Sequence, residues 1–279
     1  MYHYQIKEAL DRLYRDFDFD ERLRHDPIEF PHRYTKAEDI EIAGFISASL
    51  AYGRITAFKS VLEELFARMG ESPYGFVRGF DIKRHASLLE GIKYRFNSES
   101  DMVILFHLLS EIIRRFRSLE NAFLHGFDSR DIGTAIDGFR SLSQRILEKV
   151  KVNKSFWYLI PGPVNGSACK RVNLFLRWMV RDRDIDFGIW KGFRKDQLII
   201  PLDTHIARIG QCLGFTRRKT ADWRMAVEIT EALKKMDPED PLKYDFALCH
   251  KGVIGMCKGC KEKSDGCQVL FDGTLMKQR

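Results

Sequence analysis

Helical periodicity is the feature of this sequence that most constrains its fold. Residues 102–116, MVILFHLLSEIIRRF, are apolar almost all round, as a central buried helix would be. In the next segment, apolar residues recur at the spacing of one helix face, at Ile132, Ile136, Phe139, Leu142 and Ile146. Further helical segments cover 172–181, 223–236 and 242–253. The one strand-like run, LII at 198–200, is too short to imply a sheet, so the sequence predicts an all-α fold.

The start of one helix is marked by the stretch TKAE. Thr35 precedes Glu38 by three residues, which is the pattern of a capping box, and the helix is expected to run on through the apolar stretch that follows. A chain of 279 residues is long enough to form one large domain or two lobes.

The charge balance favours a polyanionic partner without deciding the question. The net charge is +7 and the pI is near 9.0, and residues 170–195 contain eight Lys or Arg against three Asp. An ordinary solvated surface is an equally good explanation of these totals.

The longest uncharged apolar run, residues 42–52, is too short for a bilayer span of about 20 residues. The N-terminus has no signal-peptide core, so we expect a cytoplasmic protein that does not associate with membranes.

Four cysteines lie close together near the C-terminus. Cys249, Cys257, Cys260 and Cys267 have the spacing C-x7-C-x2-C-x6-C. A dense thiol cluster in a cytoplasmic chain is typical of a metal site, because disulfides are rare there. Four thiolates suit either tetrahedral zinc or an iron–sulfur cluster, and the alternative is reduced cysteines without a metal. Cys169 and Cys212 are isolated and are expected to pack in the interior.

A loop broken by Pro and Gly leads directly into an amphipathic helix at residues 159–176. Gly162 and Gly166 allow the backbone to turn tightly and to approach another molecule closely. Lys170 and Arg171 follow in the first turn of the helix, where cations oppose the helix dipole. A bound anion such as a phosphate would explain them. The alternative is a plain turn between helices with surface cations.

The stretch IIPLDTH at 199–205 has two interpretations. Asp203 is placed to cap the helix that follows, and it is equally suited to be a working carboxylate at a helix start. The residues around it in the sequence do not separate these interpretations.

The loop with Lys170, the PLDTH stretch and the cysteine tail occur in the order that is found in the helix–hairpin–helix DNA glycosylases. The chain resembles the endonuclease III branch of this superfamily over about 159–210 and 249–267. The resemblance implies that Lys170 is the nucleophile, that Asp203 is the catalytic aspartate and that the four cysteines bind a 4Fe–4S cluster, with zinc as the alternative. It also implies DNA contacts by Gly162, Gly166 and Arg171, and by Lys251 and Lys258 in the tail.

A weaker resemblance covers residues 42–53. Ser49 stands where the glycosylases have a glutamine that inserts into DNA, so Ser49 is a further expected DNA contact. The whole chain also resembles a bacterial and archaeal family whose hallmarks are AYG, PLDTH and YDFALCH, here at 51–53, 201–205 and 244–250.

The resemblance implies two helical lobes with the active site between them. Residues 36–199 are expected to form a helical bundle that ends in a helix–hairpin–helix motif. Residues 1–35 and 200–279 are expected to form a second lobe with a C-terminal four-cysteine metal loop.

The function implied is base-excision repair of damaged duplex DNA by a monomer. The enzyme would be a DNA N-glycosylase with AP-lyase activity that removes an oxidised base, and Lys170 would attack C1′ of the sugar as a neutral amine. One alternative is a non-catalytic nucleic-acid-binding protein on the same scaffold. The other is a zinc-stabilised protein whose tail mediates protein contacts.

Overall fold

The computed structural model describes residues 2–253, with side chains from Tyr4 to Gly252. This part of the chain folds into thirteen α-helices. They are α1 (Tyr2–Arg15), α2 (Phe19–Leu23), α3 (Ala37–Leu50), α4 (Ile55–Met69), α5 (Pro73–Gly79), α6 (Ile82–His85), α7 (Glu99–Phe116), α8 (Leu119–Leu124), α9 (Ile132–Ile146), α10 (Lys170–Val180), α11 (Thr204–Cys212), α12 (Trp223–Lys234) and α13 (Asp245–Val253).

Short 3₁₀ helices occur in the connections. They are Pro27–Glu29, Pro31–Arg33, Ala86–Leu89, Phe156–Tyr158, Pro163–Asn165 and Lys195–Gln197. Residues 2–253 contain no β-strand, and the predicted all-α fold is confirmed for them. A search of the same residues found no helix with the length and apolar character needed to cross a membrane.

Helix α7 is the predicted central helix, and it begins three residues earlier than its apolar run. Ser98 Oγ accepts a hydrogen bond from the Asp101 backbone N–H at 3.3 Å, and Asp101 Oδ2 accepts one from the Ser98 N–H at 2.9 Å. This reciprocal capping box satisfies two amides at the helix start. Leu105 and Leu108 in the middle of the helix are fully buried. The helix therefore runs through the interior, as its apolar sequence predicts.

The capping box predicted at the start of α3 was wrong. Lys36 occupies the N-cap position and makes no capping hydrogen bond with its side chain, and Thr35 lies one residue outside the helix. The carboxylate of Asp39 instead accepts hydrogen bonds from Ser72 Oγ at 2.7 Å and from the Tyr74 N–H at 2.9 Å. Tertiary contacts with α5 thus hold the first turn of α3 in place of a local cap.

The larger apolar core surrounds α3 and α10. Phe45 of α3 and Phe175 of α10 pack edge to face with ring centroids 5.2 Å apart. Gly44 allows this close approach, because a Cβ at that position would lie 3.0 Å from the methyl carbon of Met179. This core is made mostly by residues 28–198.

A second apolar cluster joins α1 to the last helices of the described part. Ile6 and Leu10 of α1 pack with residues of α11, α12 and α13, among them Ile206 and Ile229. Ile28 and Phe30, from the segment assigned by sequence to the second lobe, belong to the larger core. The division at residues 36 and 199 stays a prediction.

A buried group of ionic side chains connects the two cores. Arg177 on α10 donates to Asp245 Oδ2 of α13 at 2.6 Å and to Asp186 at 3.2 Å. Arg181, one turn further along, donates to Asp240 at 2.8 Å and also to Asp186. Both arginine side chains are at most 3% exposed. Such charges are tolerated in the interior because each is paired and hydrogen-bonded.

Contacts between α1 and the turn before α13 add a second connection. The carboxylate of Asp11 accepts hydrogen bonds from Tyr244 Oη at 2.5 Å, from Lys7 Nζ at 2.6 Å and from Lys243 Nζ at 3.2 Å. Partial burial acts to raise the pKa of Asp11, but these three donors outweigh it and lower the pKa to about 2. The N-terminal helix is thereby fixed against the C-terminal part of the described chain.

Candidate active site between alpha 10 and alpha 11

Lys170 is the first residue of α10, and a strained backbone leads into it. Cys169, the N-cap residue, has φ of +51°, in the left-handed region that side chains rarely adopt. Its N–H donates to Ser167 Oγ at 3.1 Å, and the side-chain amide of Asn173 donates to the Ala168 carbonyl at 3.2 Å. These bonds determine the direction in which the chain enters α10, and so they position Lys170.

The loop from α9 to α10 is anchored on α9. The guanidinium of Arg140 donates to the carbonyls of Trp157 and Ile160. Gly162 is buried, and a Cβ there would lie 2.5 Å from Asp137 Oδ1, so glycine allows the loop to lie against the helix. The predicted contact of Gly162 with DNA is therefore corrected: this residue faces α9.

Gly166 lies at the exposed side of the same loop. It has φ of +75° and donates its N–H to the Pro163 carbonyl at 2.8 Å, which closes the turn Pro163–Asn165. Val164 at the tip is 79% exposed. Gly166 is thus accessible to a ligand, and its contact with DNA stays a prediction, as does the assignment of this loop as a helix–hairpin–helix motif.

Asp203 caps α11 with one of its two carboxylate oxygens. Oδ1 accepts hydrogen bonds from the backbone N–H groups of His205 at 2.9 Å and of Ile206 at 2.8 Å. The other oxygen, Oδ2, lies 3.8 Å from Lys170 Nζ. One oxygen therefore caps the helix and the other faces the lysine, and a catalytic role for this carboxylate stays a prediction.

Lys170 and Asp203 approach each other from the two cores. Helix α10 is built into the larger core, whereas Ile200 and Leu202, just before Asp203, belong to the second cluster. The Lys170 side chain is 38% exposed and the Asp203 side chain 13%. The charged pair thus lies where the two cores adjoin, with the amine reachable from solvent.

Cys249 is the third side chain at this position. Its thiol lies 3.4 Å from Asp203 Oδ2 and donates to it. Burial raises the pKa of the Cys249 thiol well above its ordinary value, and the nearby carboxylates of Asp203 and Asp245 raise it further. In this arrangement the Cys249 thiol is placed to donate a hydrogen bond to the carboxylate.

The predicted metal loop lies almost entirely outside the described residues. Cys249 is the one ligand candidate within them, whereas Cys257, Cys260 and Cys267, together with Lys258, lie beyond residue 253. Residues 2–253 contain no group of three or more His, Cys, Asp or Glu side chains that could hold a metal ion. The described residues supply one thiol of the required four, and that thiol is directed at Asp203.

The structure corrects the roles predicted for Arg171 and Ser49. Arg171 is 7% exposed, and its guanidinium donates to the Ser49 carbonyl at 2.8 Å and to the Tyr158 carbonyl. Ser49 itself is 4% exposed. Both residues are directed into the protein, so they brace the start of α10 against α3 rather than presenting contacts to DNA. Lys251 on α13 is partly exposed, and its predicted phosphate contact stays a prediction.

The sequence did not reveal the buried ionic group or the exposed aromatic residues. Arg177 and Arg181 are two of the eight cations counted in residues 170–195, but the structure buries both beside carboxylate partners. The exposed aromatic Phe96 gave no motif at all. A usable signal is the absence of acids: no Asp or Glu occurs between Glu148 and Asp182.

The fold and the pair define an all-α protein with a lysine–aspartate site at the junction of two cores. The model of the family described as "Protein of unknown function (DUF2400)" matches residues 26–254. Because this match covers most of the chain, the chain belongs to that family. Comparisons with curated proteins and with solved structures gave no match.

Proposed function

We propose that this protein is a base-excision DNA glycosylase with AP-lyase activity, acting on an oxidised base in duplex DNA. The observation that carries the proposal is the distance of 3.8 Å between Lys170 Nζ and Asp203 Oδ2, in a pair whose lysine is partly exposed to solvent. A nucleophilic amine next to a fixed carboxylate is the pair of groups that this chemistry needs. The resemblance to the glycosylases assigns the same two residues.

Asp203 is suited to stabilise positive charge on a deoxyribose. Its Oδ1 is held by two backbone N–H groups, so the carboxylate is fixed in orientation before a substrate arrives. Its Oδ2 is directed toward the amine and is available as a proton acceptor. Transfer of a proton from the Lys170 ammonium to this oxygen gives the neutral amine.

The proposed reaction balances with these two groups. The lone pair of Lys170 Nζ forms a bond to C1′ as the glycosidic bond breaks, and the departing base keeps the bonding electrons and takes up a proton. The C1′–O4′ bond then breaks, O4′ takes up a proton, and a protonated imine joins Nζ to C1′. Removal of a proton from C2′ expels the 3′ phosphate, which is the lyase step.

The charge of the surrounding sequence supports a nucleic-acid substrate. Residues 149–181 contain seven Lys or Arg and no Asp or Glu, and they include the whole loop that leads to Lys170. Of these cations, Lys149, Lys151 and Lys154 are exposed. Exposed cations attract phosphates, and binding of this kind weakens as salt rises.

Borohydride trapping tests the proposal. The full chain is incubated with duplexes that carry an abasic site, 8-oxoguanine or thymine glycol, and borohydride reduces any imine to a stable adduct. We expect an adduct with the wild type, none with Lys170→Gln, and a yield lowered about 100-fold with Asp203→Asn. Lys235→Gln, which removes an exposed lysine directly after α12, is the matched control and should trap like the wild type.

Failure of the wild type to trap on any of the duplexes would overturn the proposal, as would equal trapping by Lys170→Gln. The second candidate is then a non-catalytic nucleic-acid-binding protein. One observation weighs against the glycosylase: Arg171 and Ser49, to which the resemblance assigns contacts with damaged DNA, are buried inside the protein. Duplex affinity that is unchanged by Lys170→Ala, in a protein that does not trap, would establish this alternative.

The cofactor is a separate part of the proposal. We assign a 4Fe–4S cluster to Cys249, Cys257, Cys260 and Cys267, since four thiolates suit it, with zinc as the alternative. Its chemistry would be structural, by fixing the C-terminal tail. Iron and acid-labile sulfide measured on the purified full chain would support the cluster, whereas stoichiometric zinc in a colourless protein would support the alternative of a zinc-stabilised interaction protein.

A further inference from the structure

An exposed group of aromatic rings lies beside the start of α10. We call it the aromatic corner, and it consists of Tyr52, Phe96 and Tyr158, which come from three separate loops. Phe96 is 60% exposed and Tyr158 is 46% exposed. Single exposed aromatic residues are common, but several that adjoin one another make a candidate binding site.

The three rings have a defined mutual geometry. Tyr52 and Phe96 are parallel within 4°, with centroids 6.2 Å apart. Tyr158 stands nearly perpendicular to both, at 82° to Tyr52 and 80° to Phe96, with centroids 5.2 Å and 5.7 Å away. The rings thus present flat faces in two directions, which is the shape that a planar ligand requires for one stacked contact and one edge contact.

Phe96 is held at the tip of a tight turn. Tyr94 and Asn97 exchange two backbone hydrogen bonds, of 2.9 Å and 2.8 Å, around Arg95 and Phe96. The Tyr52 hydroxyl donates to Asn97 Oδ1 at 2.7 Å and ties this turn to the loop after α3. A ring that is already fixed loses little conformational entropy when a ligand stacks on it.

Arg95 completes the surface and explains the glycine of the AYG stretch. Its guanidinium carbon lies 5.4 Å from the Phe96 ring centroid and 5.9 Å from that of Tyr52. Gly53 has φ of +84°, which favours glycine, and a Cβ there would lie 2.3 Å from Arg95 Nη1 and 2.8 Å from Tyr94 Oη. Arg95 itself has φ of +51°, a strained conformation for a non-glycine residue. The fold thus holds a cation among the rings.

The loops that carry the aromatic corner are rich in cations and contain no acid. Residues 42–62, 91–98 and 149–181 have no Asp or Glu, and the structure gives their exposed cations no ion pair with any described carboxylate. These cations are Arg54, Lys93, Arg95, Lys149, Lys151 and Lys154. Acids border these ranges at Glu41, Glu63, Glu90, Glu99, Glu148 and Asp182. Of the acids that follow Phe96, Glu99 accepts a hydrogen bond from the Gly91 N–H and Asp101 accepts one from Ser155 Oγ. A partner that carries negative charges and also has flat rings of its own would match both the cations and the aromatic rings of this surface.

We infer that the aromatic corner binds unpaired bases of a single-stranded nucleic-acid segment. In a duplex the faces of the bases are covered by their neighbours, so exposed rings gain contact only with a base that has left the stack. Base–aromatic stacking tolerates any sequence, and cations alongside hold the phosphates. The inference takes from the proposed function only the class of partner, a nucleic acid. It does not require that Lys170 is a nucleophile.

The corner adjoins the candidate active site. Arg171, the residue after Lys170, places its guanidinium 4.1 Å from the ring centroid of Tyr158 and 4.8 Å from that of Tyr52. Lys170 and the arginine that contacts the aromatic corner are thus consecutive residues at the start of α10.

Binding of a fluorescein-labelled, undamaged single-stranded oligonucleotide tests the inference, with the same sequence as a duplex for comparison. We expect Phe96→Ala to weaken single-strand binding about tenfold, which is about 1.4 kcal/mol, and to change duplex binding by less than about twofold. Tyr4→Ala is the matched control, because Tyr4 is an aromatic residue 73% exposed on α1. It should bind like the wild type.

Phe96→Leu separates stacking from simple apolar contact. It keeps an apolar side chain at an exposed position, and it carries the test if Phe96→Ala does not fold. We expect it to bind nearly as weakly as the alanine variant, and wild-type affinity for either variant would overturn the inference. An equal loss for duplex and single strand would also overturn it. Since this assay contains neither a damaged base nor borohydride, its result is independent of the trapping result.

Discussion

Replacing Arg177 by methionine tests how the interior tolerates buried charge. Arg177 and Asp245 have side chains 2% and 3% exposed, and Arg177 Nη1 lies 2.6 Å from Asp245 Oδ2. Burial raises the pKa of Asp245 to about 6, and Arg177 limits this rise. Methionine keeps most of the apolar stem of arginine but removes the cation. Among the described residues, Asp186 then keeps Arg181 as a partner, whereas Asp245 loses the guanidinium that binds it.

The expected cost is about 3–5 kcal/mol of the free energy of unfolding, because an uncompensated charge remains buried. Urea denaturation followed by tryptophan fluorescence measures it. Arg218→Met is the matched control, since Arg218 Nη2 also lies 2.6 Å from its partner, Asp222 Oδ2. That pair is partly exposed, at 30% and 20% of its side chains, and losing it should cost far less than losing the buried pair.

The comparison keeps the substitution and the shortest N–O distance the same, and it changes the burial of the pair. If Arg177→Met and Arg218→Met cost the same within about 0.5 kcal/mol, the reasoning from burial is refuted. A second variant tests the cause. Adding Asp245→Asn to Arg177→Met should restore about 1 kcal/mol or more, since a neutral amide is cheaper to bury than an unpaired carboxylate.

Three further predictions follow from local geometry. The pKa of Asp11 is lowered from 3.8 to about 2, so its stabilising effect is complete above about pH 4 and is lost as the pH falls toward 2. The free energy of unfolding of Asp11→Asn should therefore be about 1 kcal/mol lower than that of the wild type at neutral pH, and the difference should narrow at about pH 2. Thermal unfolding at both pH values measures it. Gly162→Ala should cost about 1–3 kcal/mol, since its Cβ would lie 2.5 Å from Asp137 Oδ1, and an unchanged melting temperature would contradict the contact. Arg117→Gly should gain about 0.5–1 kcal/mol, because Arg117 is exposed with φ of +70°, and a loss would contradict the assigned strain.

Sequence periodicity was sufficient to predict the long helices. The runs at 102–116 and 132–146 fall within α7 and α9, since an apolar face can be buried only if those residues are helical. The start of α3 was not predictable in this way. Its first turn is held by Ser72 and the Tyr74 N–H, more than thirty residues further along the chain, and a local capping pattern contains no information about such partners.

The candidate site was only partly predictable for the same reason. Lys170 at the start of a helix and Asp203 at an N-cap both follow from local pattern. The burial of Arg171 does not, because its acceptor is the carbonyl of Ser49, 122 residues away in sequence. A cation in the first turn of a helix suggests a bound anion, but here two backbone carbonyls and two aromatic rings occupy the guanidinium. Long-range partners decide such cases.

The two oxygens of Asp203 allow its structural and chemical roles to be separated experimentally. Oδ1 accepts two backbone N–H groups, and the side-chain oxygen of asparagine can do the same, so Asp203→Asn should keep the cap of α11. The lost pairing with a lysine that is 38% exposed should cost less than about 0.5 kcal/mol. Asp203→Ala removes the cap and should lose about 1 kcal/mol in urea denaturation. Trapping should fall in both variants, because both lack the charge. If stability and trapping instead fall together in Asp203→Asn, this carboxylate acts through the fold and not on the substrate.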